Sequence, residues 1–286
     1  MQQVIYRSAG FFIFLLAACV RSTQSTPEPV LQPANDRSTT SWTLVPTSAA
    51  RRYVSTGTTE LELRSDTGAT KASITTTAGF TLSASRETGF TRIRGTLDSF
   101  SARTNGRIAQ ADQTPVLPLV FSGRLIDGGF NLDSLNGQSP GTGDCRNPGL
   151  NNLSTVRQSL LAVPGVLAPG LTWTDSSTVT SCSGSIPLQL TSIKTYTVAG
   201  ENSRSGSPVI VIDRVDRFTA SGEGSQGQHR VTVLTRGTGS AKVSVDRTSG
   251  LLSSSDVELL ATVTITSSGR TQVFAQIVRE RTTSVD

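Results

Sequence analysis

The sequence predicts an almost all-β chain: a long antiparallel meander with one short amphipathic helix set into it. Three observations carry this. The composition has 26 Gly, only 16% charged residues and 5% aromatics, and it is rich in Thr, Ser and Val, which suits strands and tight turns. Apolar and polar residues alternate over long stretches, as in Val257, Leu259, Ala261, Val263 and Ile265, which share one face of a strand. Short turns rich in Gly, Asn and Asp separate these stretches, Asn105-Gly106 being one.

In chain order, residues 1–18 have the three parts of an export signal. Arg7 and the amino terminus are positive, Phe11 to Leu16 form an apolar core, and Ala17-Ala18 is the small pair that precedes a cleavage site. The apolar run falls well short of the ~20 residues that a membrane-spanning helix needs. Leu16-Ala17-Ala18-Cys19 resembles the lipobox of bacterial lipoproteins. That resemblance implies a diacylglyceryl group on the Cys19 thiol, cleavage before Cys19, and a fatty acyl group such as palmitate on the new amino terminus. Stable anchoring takes at least two acyl chains, so such a terminus stays in the membrane. Val20 follows the cysteine where an Asp would signal inner-membrane retention, so the same resemblance favours the outer membrane, facing the periplasm or the cell surface. Residues 19–41 are polar, contain Pro27, Pro29 and Pro33, and show no apolar period; they read as a lipidated N-terminus and flexible tether. One β-rich domain is expected over 42–286.

Strands are expected from Trp42 to Val45, Arg52 to Arg64, Ala69 to Thr77, Phe80 to Arg86 and Phe90 to Ser101, then within Pro115 to Ile126. The Asp127–Gly137 stretch carries oxygen ligands at short spacing but lacks a calcium-loop pattern, so it reads as a hairpin. The second half gives Leu171 to Cys182, Ile186 to Val198, Pro208 to Ser221, Gln228 to Arg236, Ser240 to Arg247, Leu251 to Thr266 and Thr271 to Thr282. Between the halves, Leu153, Val156, Leu160 and Val163 keep helical spacing over 150–163. Asn151 or Asn152 is placed to cap the start, and Pro164-Gly165 stops it.

If Cys19 is lipidated, Cys145 and Cys182 remain as an even pair in an oxidising compartment. A disulfide between them is the simplest account and would bracket the helix; two free thiols or a metal site are the alternatives. With one His in the chain, a metal site lacks ligands, and no metal or cofactor is expected. The net charge of +5 is scattered arginine, with Asp213, Asp216 and Glu280 between them, and has no aromatic interleaving. No nucleic-acid partner is expected. His229 stands at the start of a strand with no serine elbow, so no enzyme is expected. Asp213 and Asp216 lie among Arg214 and Arg217 on one strand and read as members of cross-strand charge pairs.

A lipidated terminus, a tether, an antiparallel meander and one helix resemble the exported bacterial lipoproteins and lipid carriers built on a strongly curved, half-open β-barrel with a helical lid. The alternation alone is common to that barrel and to a sandwich. The resemblance implies an apolar ligand such as a lipid, held on the concave face under a lid that presents Leu153, Val156, Leu160 and Trp173. The bland reading of that stripe is core packing. The other expectation is a structural or surface-interaction lipoprotein with an envelope protein partner and no small ligand.

Overall fold

The computed structural model describes residues 19–20, 40–45, 48–65, 68–105, 107–108, 117–126, 129–139, 145, 153, 155–183, 186–204, 207–226 and 228–285. The export signal, with the lipobox up to Ala18, lies outside the described residues. So do 21–39 of the tether, the Asn151 and Asn152 caps, Asp127-Gly128 and the Cys182 side chain.

Alternation over this many residues yields long strands. They are β1 (Cys19–Val20), β2 (Trp42–Thr43), β3 (Arg51–Ser65), β4 (Gly68–Glu87), β5 (Phe90–Thr104), β6 (Arg107–Ile108), β7 (Leu119–Ile126), β8 (Gly129–Leu135), β9 (Val166–Leu167), β10 (Thr172–Ser183), β11 (Ile186–Arg204), β12 (Ser207–Gln226), β13 (His229–Asp246), β14 (Leu252–Ser267) and β15 (Arg270–Val285). At about 3.3 Å per residue, the longest of them extend for roughly 60 Å.

Eleven of them form one antiparallel sheet in the order β10-β11-β12-β13-β14-β15-β3-β4-β5-β7-β8. The last strand pairs with the first long one, with Thr282 opposite Ser55 and Gln276 opposite Leu61. One sheet therefore runs through both halves of the chain. β1 pairs with β10, Cys19 opposite Thr180, and also lies alongside β8, while β10 itself comes near β8. The sheet thus curls until its two edges nearly meet, giving a nearly closed barrel, which is the half-open barrel expected from the resemblance. β6 extends the sheet beside β5, and β2 pairs with β9 as a separate ribbon.

The expected 69–77 and 80–86 strands are one strand, β4, and the expected 228–236 and 240–247 strands are one strand, β13. The glycines between them are not turns. At Gly79 the register slips by one residue, and a side chain there would meet the Ser99 hydroxyl at 2.6 Å. Gly237 lies under the Phe218 ring, where an added Cβ would come within 2.3 Å of the ring edge. These glycines bring a neighbour close instead of reversing the chain. The β8 hairpin forms where a hairpin was read, and Asn105 and Asn136 take the left-handed conformation in the turns after β5 and β8.

The helix, α1, stops before its apolar period does: residue 153 and residues 155–158 are helical, and 160–163 are not. Ser159 ends it. Its Oγ donates to the Thr155 carbonyl and to Thr282 Oγ1 on β15, while Leu160 N bonds the Arg157 carbonyl. Leu160 to Val163 then run as irregular chain against the barrel wall.

The barrel interior is the hydrophobic core. Tyr53 stacks on Phe80 with centroids 5.3 Å apart, and Phe121 meets Phe130 edge-on. Leu97, Leu188, Ile210, Ile212 and Val245 are fully buried around them.

Candidate functional site

The structure places the residues expected on a lid as follows. Leu153 and Val156 are fully buried and packed with the inward faces of the strands. Leu160 is half-buried and lines two small interior cavities of about 90 and 70 Å3, both also lined by Leu125. Trp173 stacks on Tyr196 at 4.9 Å and lines neither of these cavities. The helix and its inner wall therefore meet as packed core. The larger cavity has room for about three waters, against the roughly 300 Å3 or more of a small-molecule pocket.

Next to that cavity is a polar belt that sequence reasoning missed. Register puts Asp175, Lys194 and Asp216 side by side on β10, β11 and β12, and Trp173, Tyr196 and Arg214 in the next row. All six share the parity of buried Leu190, Ile212 and Phe218, so they point inward. Asp216 stands opposite Lys194 across the strands and also bonds Arg214 of its own strand, Nη2 to Oδ2 at 2.9 Å; Arg214 and Asp216 are both buried, which the sequence reading did not anticipate. Arg214 Nε and Asp216 Oδ1 are buried with no hydrogen-bond partner among the described residues.

Burial lowers the Lys194 ammonium to about 8; neighbouring Arg214 adds to this, and Asp216 and Asp175 oppose it. Burial also raises Tyr196 well above its ordinary value. Across the barrel, burial raises Glu280 to about 7, against the opposing pull of the Ser55 hydroxyl bond and Arg214. Ser55 donates to Glu280 at 2.9 Å and accepts from Thr282, which accepts from Ser159 of the α1 end. The belt thus ties the helix to the wall, and burial there disfavours the charged forms of both Lys194 and Glu280. The cavity beside it admits water and little else.

The outer face is the converse. Outward positions of β12 to β15 include Asp213, Arg217, Thr219, Arg236, Thr238, Lys242, Asp256, Glu258, Thr262, Arg279 and Arg281, all exposed. A bilayer-spanning barrel carries an apolar band there and a polar lumen; this barrel's interior is mainly apolar with the charged belt set into it, and its outer face is mainly polar and charged, with Ile193, Val215, Leu260 and Val273 exposed among those residues. Two adjoining shallow, open troughs lie on this face. The first is edged by ion pairs: Arg279 bonds Glu258 at 2.8 Å and Glu60 at 3.1 Å, and Arg281 lies 3.5 Å from Asp256. The second is lined by Ile193, Arg217, Arg236, Leu260 and Ile277 among threonines.

His229 is exposed at the start of β13, with Nδ1 2.8 Å from Ser268 Oγ on the neighbouring hairpin end. Neither trough and neither interior cavity includes this pair. Cys145 is half-buried, and Cys182 is the next-to-last residue of β10, its backbone opposite Pro187. Among the described residues, no group of His, Cys, Asp and Glu is clustered to hold a metal, and no helix is long and apolar enough to cross a membrane.

No protein-family model matches the chain, and no curated protein matches it. Among solved structures, it is similar to OccK2 (OpdF) of Pseudomonas aeruginosa, at 7% identity and a TM-score of 0.28, over 86% of this chain and 100% of that one. It is also similar to OccK8 (OprE) of the same organism, at 8% identity and a TM-score of 0.19, over 85% and 100%. A loop-deletion mutant of OmpT, an outer membrane protein of Vibrio cholerae, aligns at 8% identity and a TM-score of 0.17, over 83% and 99%. Overlaps this slight carry no argument about what this chain does.

Proposed function

We propose that the chain is a lipid-anchored protein of the cell envelope, without catalytic activity, whose barrel is a filled body that works through its outer surface. One observation carries the choice over an enclosed-ligand carrier: the interior is packed, with cavities of only about 90 and 70 Å3. The lipobox resemblance at Leu16-Ala17-Ala18-Cys19 supports the anchor, and the charged outer face supports a body that stands in water instead of spanning the bilayer. A Cys145–Cys182 disulfide belongs to the same reading, since lipidation of Cys19 leaves those two as the pair.

The test is fractionation with mass measurement. The wild-type chain is expected in the membrane fraction, its mass starting at Cys19 plus a diacylglyceryl and an acyl group. A Cys19→Ser chain is expected in the soluble envelope fraction. A wild-type chain with an unmodified Cys19 would sink the anchor.

A lipid carrier is the second reading. It is favoured by one feature: Leu125 and Leu160 line both interior cavities, so outward movement of the chain after α1 would merge them. A lipid still retained at one per molecule by the chain carrying Arg217→Gln and Arg236→Gln would support it.

A further inference from the structure

We propose that the trough around Arg217 and Arg236 docks an anionic phospholipid, its phosphate between the two guanidinium groups and its acyl chain lying across the strands over Leu260 and Ile277. This deepens the surface-acting reading above and rests on it for the claim that the outer face is the working face.

Charge is the first argument. On the outer face of β14, β15 and β3, the charged groups answer one another: Arg279 with Glu258 and Glu60, Arg281 with Asp256. Arg217 and Arg236 have no ion-pair partner among the described residues. Register shows why. Arg217 has Ile193 on one side and Thr238 on the other, and Arg236 lies between Thr219 and Thr262. Thr219 follows Arg217 by two on β12 and Thr238 follows Arg236 by two on β13, so the arginines are diagonal neighbours on one face. Diagonal positions across a strand pair lie about 7–8 Å apart, within reach of long side chains. Two guanidinium groups at that spacing converge on one anion, and their planar donor forks match a phosphate.

The floor is the second argument. From Arg217 the row continues through Thr238 to Leu260 and Ile277, which are in register on β14 and β15. Leu260 is 48% exposed and Ile193 is 45% exposed, so the trough offers apolar surface with nothing on it. From the arginine pair on β12 and β13 to Ile277 on β15 the face runs about 10–12 Å at the usual interstrand spacing, which is room for the first part of an extended acyl chain. A free anion would use the arginines and leave the apolar floor in water. A neutral lipid would leave the arginines unanswered. An anionic lipid uses both.

The experiment takes the full-length chain with Cys19→Ser, so that its own acyl chains do not compete. Calorimetric titrations use dihexanoyl-phosphatidylglycerol, dihexanoyl-phosphatidylcholine and inorganic phosphate, each below its aggregation threshold. Saturable binding of phosphatidylglycerol is expected, weaker binding of phosphatidylcholine, and phosphate alone weakest. Arg217→Gln with Arg236→Gln should weaken phosphatidylglycerol binding on the order of tenfold or more, the loss of two charge-assisted contacts. Arg279→Gln, which removes a paired arginine from the same face, should change it little. Both arginines are exposed, and an unchanged unfolding midpoint confirms that the double variant folds. Equal binding of the two lipids, full binding by the double variant, or phosphate binding as tightly as the lipid would each overturn the proposal, the last by showing a free-anion site. The mass of wild-type Cys19 reads the anchor separately, so either result can fail without the other.

Discussion

At the residue scale, the most consequential side chains are the charged ones inside the barrel. Arg214 and Asp216 are a buried pair, and breaking one member leaves an uncompensated charge. Asp216→Ala is expected to cost about 3–5 kcal/mol in chemical denaturation, while the joint change Arg214→Met with Asp216→Leu should cost far less. Glu280 and Lys194 set a pH dependence. Glu280 rises from 4.5 to about 7 on folding, so its contribution to stability is full below pH 4.5 and is lost as pH rises through about 7. Lys194 falls from 10.5 to about 8, so its contribution is full above pH 10.5 and is lost as pH falls through about 8. Together they put a stability minimum between about pH 7 and 8. Urea midpoints across pH should show it; Glu280→Gln should flatten the acid limb and Lys194→Met the alkaline one. A profile unchanged by either would refute the assignment. The belt was legible in part. Ile212, Arg214, Asp216, Phe218 and Ala220 share one parity, so the inward direction of the charges was written in β12. Reading Asp216 as a member of a cross-strand charge pair came from residue type and did not use the parity that buries it.

At the element scale, strand existence was legible from period-two alternation and strand ends from Asn and Asp turns. Interior glycines were misread because a glycine that admits a neighbouring ring looks, in sequence, like one that turns the chain. Phe218 over Gly237 distinguishes the two. Gly237→Val is expected to destabilise by about 1–3 kcal/mol through overpacking, and Phe218→Leu in that background should recover part of the loss. Thermal unfolding of the two variants checks this; equal midpoints for Gly237→Val and wild type would contradict the packing. Helix α1 was legible in its buried residues, Leu153 and Val156, but not in its length. Its end is set by the Ser159 hydroxyl reaching Thr282, some 120 residues on, a contact that no local period encodes.

At the scale of the whole molecule, the alternation was compatible with a barrel or a sandwich, and the pairing of β15 with β3 decides between them by carrying one sheet around both halves. No turn signal announces that pairing, because the partners are separated by most of the chain. What covers the concave face was also not legible: the inward rows supply enough bulk to fill it, and only the register adds those rows together. If Cys145 and Cys182 are joined, denatured, non-reduced wild-type chain should give no thiol labelling, and two labelled thiols would break the pairing.

The central claim is that the barrel is filled and works from outside. Trp42 and Trp173 both face the interior, so their fluorescence reports on it. The direct measurement is quenching by a brominated fatty acid, in the Cys19→Ser chain carrying Arg217→Gln and Arg236→Gln to silence the outer trough. The filled barrel predicts no saturable quenching. Saturable loss of most of the tryptophan emission would place an acyl chain inside and contradict it.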